Sequence, residues 1–121
     1  MVVGVDGSDA SLAALEIAAS LARRLDASCT ALVSVHRHER IDLDRVRERA
    51  ADVTETEEPA VDALVQASDH ADLVVVGSRG MTGVRALGSV SERVGHRARS
   101  SVLVVRGAPL HGTDARRVRP G

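Results

Sequence analysis

Along this chain apolar residues follow two alternating rhythms. Short unbroken runs rich in β-branched residues occupy positions 2–5, 73–76 and 102–105, and a fourth lies at 30–35, where Ala31, Leu32, Val33 and Val35 carry the apolar character. Runs without polar alternation read as strands covered on both faces, the habit of a parallel sheet. A fifth candidate, 52–56, is polar enough for an edge strand. Between the runs the period lengthens toward that of a helix. Ser8 is placed to cap a helix of about four turns whose inward stripe is Leu12, Leu15, Ala19 and Ala22, widened by Ala18, Leu21 and Leu25. A short charged helix is expected from about Leu43 to Ala50, with Val46 and Ala50 inward. Pro59 suits the first turn of a third helix carrying Val61, Leu64 and Val65, and a fourth opens near Ser89 and contains Val90, Val94 and Ala98.

Strands and helices thus alternate, β-α-β-α-β-α-β-α-β, with connections of a length for right-handed crossovers. The expected fold is an α/β domain built on a five-stranded parallel doubly wound sheet with helices on both faces. Ligands of such sheets bind at the carboxyl ends of the strands, near the point where strand order reverses. That rule selects residues 4–8, 35–40 and 77–91 for scrutiny. The pattern stops at Gly107, so the domain is expected to span 1–107. Residues 108–121, which carry Arg116, Arg117 and Arg119, are expected to form a disordered tail.

Composition narrows the chemistry. The chain has 121 residues, a size for one core, and a formal charge of -1, which gives no field for capturing nucleic acid or an anionic membrane. It contains no Phe, Tyr or Trp, so base-stacking platforms and aromatic cages are excluded. All 16 basic residues are Arg. Without lysine there is no Walker A loop, no Schiff-base amine and no receiver-domain lysine. The single cysteine, Cys29, rules out an internal disulfide and reads as a small buried apolar residue at the start of the second strand. No basic leader or apolar run of membrane length is visible, and a cytoplasmic location is expected.

The segment after the fourth strand carries the candidate chemistry. Gly77, Gly80, Gly83 and Gly88 place four glycines within twelve residues, letting the backbone approach a ligand and aim successive amides into one concavity. Ser89 then opens a helix whose first N–H groups are unpaired and whose dipole favours an anion. Arg79 and Arg85 add positive charge. The arrangement reads as a phosphate cradle needing neither lysine nor a GxGxxG fingerprint, and equally as a glycine-rich connector.

Three segments together resemble the universal stress protein family. Val2-Val3-Gly4-Val5-Asp6-Gly7-Ser8 is similar to that family's opening, and Asp72-Leu73-Val74-Val75-Val76-Gly77-Ser78-Arg79-Gly80 to its fourth strand and loop. Gly88-Ser89-Val90-Ser91-Glu92-Arg93-Val94, followed by Ser101-Val102-Leu103-Val104-Val105-Arg106, resembles its last helix and strand. The resemblance implies a sheet of order 3-2-1-4-5 and a homodimer through the fifth strand, Val102, Leu103, Val104 and Val105. Its ATP-binding branch is the most similar. Gly77, Gly80, Gly88 and Ser89 match the fixed positions that receive phosphates and ribose through backbone amides, with Arg79 between the first two and Val90 and Ser91 completing the helix start. Asp6 matches the strand-one acid at the nucleotide, placed for a hydroxyl or for water on a bound Mg or Mn ion. Gly4 and Val5 match backbone positions near adenine, Val35 matches the strand-two contact, and Val76 lines the cleft. Three departures stand out. Seven residues separate Gly80 from Gly88, fewer than the family pattern; the stretch 36–52 is short; and Glu57-Glu58-Pro59 replaces a glycine-containing turn.

Among other candidates, His36 and His38 share a strand face but lack a third metal ligand at a convincing spacing. The Asp42, Asp44, Glu48 and Arg45, Arg47, Arg49 alternation reads as a solvated helix face with i,i+4 pairing. No general base is evident beside Asp6, so any hydrolysis is expected to be slow. The sequence therefore points to an ATP-binding stress-response or regulatory protein. A nucleotide-free dimeric interaction module of the same fold is the alternative, and a metal-assisted hydrolase using Asp6 ranks third.

Overall fold

The computed structural model describes residues 1–35, 42–78 and 89–106, with Ser89 described by its backbone alone. The expected tail at 108–121, His36 and His38 lie outside the described residues. Within them the chain runs β1 (Val2–Val5), α1 (Asp9–Leu25), β2 (Thr30–Ser34), α2 (Leu43–Arg47), β3 (Asp52–Thr56), α3 (Ala60–Ala67), β4 (Leu73–Gly77), α4 (Ser89–Arg97) and β5 (Ser101–Val105). The strands form one parallel sheet of order β3-β2-β1-β4-β5, with Val3 in register with Ala31 on one side and Val75 on the other. The expected fold class and strand order are both observed.

Alternation along the strands sends successive side chains to opposite faces. Val3, Val5, Ala31, Val33, Val75 and Val105 meet α1 and α2 on the first face, through Leu12, Leu15, Ala18 and Val46. Val74 and Val76 meet Leu64 of α3 and Val94 of α4 on the second. The fully covered centre is β4, where Val74, Val75 and Val76 are all buried, whereas β3 leaves Asp52, Thr54 and Glu55 exposed at the rim. None of the helices among the described residues is long and apolar enough to cross a membrane.

Three local expectations are corrected. Leu25 does not extend the inward stripe of α1. It is the helix's last residue, just before the left-handed cap at Asp26 (φ 57°) turns the chain toward β2, and it is 61% exposed. Helix α2 ends at Arg47, not Ala50, because the following residues close as turns onto Asp44 and Val46, and Val46 and Ala50 are nevertheless both buried. Pro59 is the residue before α3, not in its first turn. The charged alternation around α2 also pairs differently from the i,i+4 expectation. Asp42 caps the helix, Arg49 reaches Glu16 of α1 at 2.8 Å, and Arg47 reaches Glu55 of β3 at 3.6 Å.

Candidate ligand site at the carboxyl edge of the sheet

Because all five strands are parallel, their carboxyl ends share one edge. The strand order reverses between β1 and β4, whose outgoing chains lead to helices on opposite faces, α1 on the first and α4 on the second. The amino ends of two helices therefore flank this point.

On the α1 side the chain makes a tight corner. Gly7 adopts φ 86°, a conformation that favours glycine, and Ser8 follows as an extended N-cap whose hydroxyl accepts the Ser11 N–H at 3.2 Å. Asp6 is half-buried, and its Oδ1 accepts the Ser8 N–H at 2.9 Å. Ser11, only 6% exposed, accepts the Asp6 N–H through its hydroxyl oxygen at 3.1 Å and donates to the Ser8 carbonyl at 3.0 Å. Asp6 is thus fixed through its amide and one carboxylate oxygen. Its Oδ2 takes no hydrogen bond from any described residue.

On the other side, β4 ends at Gly77, and Ser78 follows, buried to 4% exposure with its N–H bonded to the Val105 carbonyl at 2.8 Å. Helix α4 begins at Ser89, as the sequence predicts. In its first turn Val90 is exposed and Ser91 is buried.

The predicted site residues divide accordingly. Asp6, Gly77, Ser89, Val90 and Ser91 all stand where β1 and β4 end or where α4 begins. Val5 and Val76 are placed at the same strand ends, but their side chains belong to the cores of opposite faces. Val35 follows β2, gives its N–H to the Thr56 carbonyl at 2.8 Å and packs half-buried on the first core. Gly4 lies beneath α3, where an added Cβ would come within 2.8 Å of Leu64 Cδ1. A Cβ on Gly77 would come within 3.2 Å of the Ala10 carbonyl oxygen, so the first turn of α1 rests directly on the end of β4. Both glycines thus have a packing reason. Arg79, Gly80, Arg85 and Gly88 lie outside the described residues.

At the far side of the edge, the Glu57-Glu58-Pro59 turn is tied to β2. Ser34 donates to the Glu58 carbonyl at 2.6 Å, and Gln66 donates to the Glu58 carboxylate at 3.3 Å. Cys29, at the opposite edge, packs half-buried on the first core. Burial pushes its thiol up from the ordinary cysteine value, an effect reduced by the chain's amino terminus and reinforced by Asp52. It is a packing residue of low thiolate character. Among the described residues no cluster of three or more His, Cys, Asp or Glu could hold a metal ion.

Sequence reading missed Ser11 and Ser78. The signal for Ser11 was present, since a serine one turn before Leu15 interrupts an otherwise apolar stripe.

Comparison with known proteins places this arrangement. The sequence pattern described as the universal stress protein family matches residues 37–106. The universal stress protein YxiE of Bacillus subtilis (strain 168) is 32% identical, with 88% of this chain and 97% of that protein covered. That alignment runs over 145 positions, more than the 121 residues of this chain, so part of the relative has no counterpart here. A universal stress protein crystallised in complex with cAMP is 35% identical, with a TM-score of 0.70 over 88% of this chain and 95% of that one. UspA from Lactobacillus plantarum shares the fold, with a TM-score of 0.71 at 22% identity over 87% of this chain and 96% of its own.

Proposed function

This chain belongs to the universal stress protein family, and from that premise we propose that it binds an adenine nucleotide at the β1/β4 carboxyl edge and serves a stress-response or regulatory role. The observation that carries the reading is the half-buried Asp6 carboxylate at the carboxyl edge where β1 and β4 part, its Oδ1 held by the Ser8 N–H and its Oδ2 without a hydrogen bond among the described residues. The amino end of a helix suits phosphate, and a carboxylate oxygen suits a sugar hydroxyl. The 35% identity to a protein solved with cAMP supports an adenine nucleotide as the class.

Within that class the ligand proposed is ATP. Gly77, Gly80, Gly88 and Ser89 take the phosphates through backbone amides, Arg79 adds charge, and Val90 and Ser91 complete the helix start. Gly4, Val5, Val35 and Val76 form the adenine end through their backbone, the Val5 and Val76 side chains being in the cores, and Asp6 holds a ribose hydroxyl or a water on an accompanying Mg or Mn ion. The donor set fits such a group only through the nucleotide, since Asp6 has no companion ligands for a resident metal among the described residues.

The absence of aromatic residues makes the test direct. The protein is nearly silent in the near ultraviolet, so absorbance at the nucleobase band in purified, desalted material reports retained nucleotide. Titration with ATP and with cAMP should raise Tm saturably, by an increment that grows with ligand concentration above Kd, and Asp6→Ala should remove most of the shift. A second reading, a nucleotide-free dimeric interaction module, is favoured by the partly exposed apolar surface of β5. It predicts no saturable shift with either nucleotide.

A further inference from the structure

We propose that Ser11 is a positioning residue for the ligand, acting through Asp6, an inference that rests on the adenine-nucleotide reading. Ser11 occupies the first turn of α1 on the stripe that continues through Leu15 and Ala18 into the first core. A hydroxyl buried in such a stripe is costly unless it is paired. Here both of its capacities are spent on the two residues flanking Gly7: it accepts the Asp6 N–H at 3.1 Å and donates to the Ser8 carbonyl at 3.0 Å.

Helix capping does not account for this pattern. The cap is complete in the bond from the Ser11 N–H to the Ser8 hydroxyl at 3.2 Å, which needs only the backbone of Ser11. The side chain of Ser11 does something else. It replaces the strand partner that Asp6 no longer has, because β1 ends at Val5, and so fixes the peptide from which the carboxylate projects. Oδ1 is then fixed in turn by the Ser8 N–H at 2.9 Å. Asp6 is held at its amide and at one oxygen, leaving Oδ2 as a single acceptor of defined direction. A corner held in this way before the ligand arrives spares the ordering cost on binding. Ser11 also keys this corner to the rest of the sheet, since the neighbouring Ala10 carbonyl rests against Gly77 at the end of β4.

The test is calorimetric titration of the full chain with ATP and with cAMP in wild type, Ser11→Ala, Asp6→Asn and the double variant. Asn at position 6 keeps an oxygen for the Ser8 N–H but turns the free acceptor into a donor. Loss of the two hydrogen bonds of the Ser11 hydroxyl should weaken binding by Ser11→Ala about threefold to tenfold. In the Asp6→Asn background the same change should shift affinity by less than about twofold, because the group through which Ser11 acts is already gone. An unchanged Ser11→Ala, or an equal loss in both backgrounds, overturns the proposal while leaving nucleotide binding intact. If wild type binds neither nucleotide, the underlying reading falls first and the proposal with it. Amide exchange in nucleotide-free protein gives a second measurement. Ser11→Ala should exchange faster at Asp6 with the β4 amides unaltered, and unaltered exchange at Asp6 also overturns the proposal.

Discussion

At the scale of single residues, the glycines separate into kinds that a sequence does not distinguish. Gly4 has Leu64 Cδ1 within 2.8 Å of where its Cβ would stand, and Leu64 is itself buried to 2% exposure with little freedom to move aside. Gly95, inside α4, has nothing within 4 Å of the same position. The same substitution therefore carries opposite signs. Gly4→Ala should destabilise by about 1–3 kcal/mol through overpacking between β1 and α3, whereas Gly95→Ala should stabilise by about 0.5–1 kcal/mol by removing backbone entropy from an exposed helical position. Urea denaturation of both variants checks this. A stable Gly4→Ala would mean that α3 seats less closely on the sheet than the structure shows. The family resemblance implies for Gly4 a backbone position near adenine, and nothing in its local sequence announces Leu64, sixty residues away.

At the scale of elements, what the sequence disclosed follows from burial on two faces. The strands β1, β4 and β5 could be read because they have helices on both sides and so carry unbroken apolar runs, and α1 because its stripe is long enough to repeat. Misreadings fall where a tertiary partner decides. Ion pairs around α2 go to Glu16 and Glu55 on neighbouring elements, which no spacing rule within the helix anticipates. Of the candidate site, the sequence singles out Asp6 and the start of α4; the bonds of Ser11 go to near neighbours in sequence, whereas Ser78 is bonded to Val105, a neighbour that only the fold supplies. Ser68 is a further case. It is buried at the end of α3, donates to the Val65 carbonyl at 2.5 Å and accepts the Arg99 N–H at 2.9 Å, tying α3 to the approach to β5. Ser68→Ala leaves that N–H without its side-chain partner and should cost about 1–3 kcal/mol. A Ser68→Ala midpoint matching wild type would show that this tie contributes nothing.

At the scale of the whole molecule, the two edges of the sheet are unlike. On β3, Asp52, Thr54 and Glu55 are exposed, the charged rim by which an edge strand resists pairing. On β5, Val102, Leu103 and Val104 are only partly covered, by cores on both faces, and no charge interrupts them. A second copy whose β5 runs antiparallel would cover those residues and satisfy the outer backbone groups. The predicted assembly is a homodimer joined through β5. Val102→Lys should convert it to monomer in sedimentation velocity, since lysine on an edge opposes strand addition, while Thr54→Lys on the other edge should leave the mass unchanged. A wild-type chain that sediments as monomer at the same concentration would remove the prediction. The proposed site is at the carboxyl ends of β1 and β4, not on the outer edge of β5, so the two proposals, dimerisation and ligand binding, are separable. Val102→Lys should keep the nucleotide-dependent Tm shift if the protein binds nucleotide, and a monomeric variant with that shift intact would show that the site needs no second subunit.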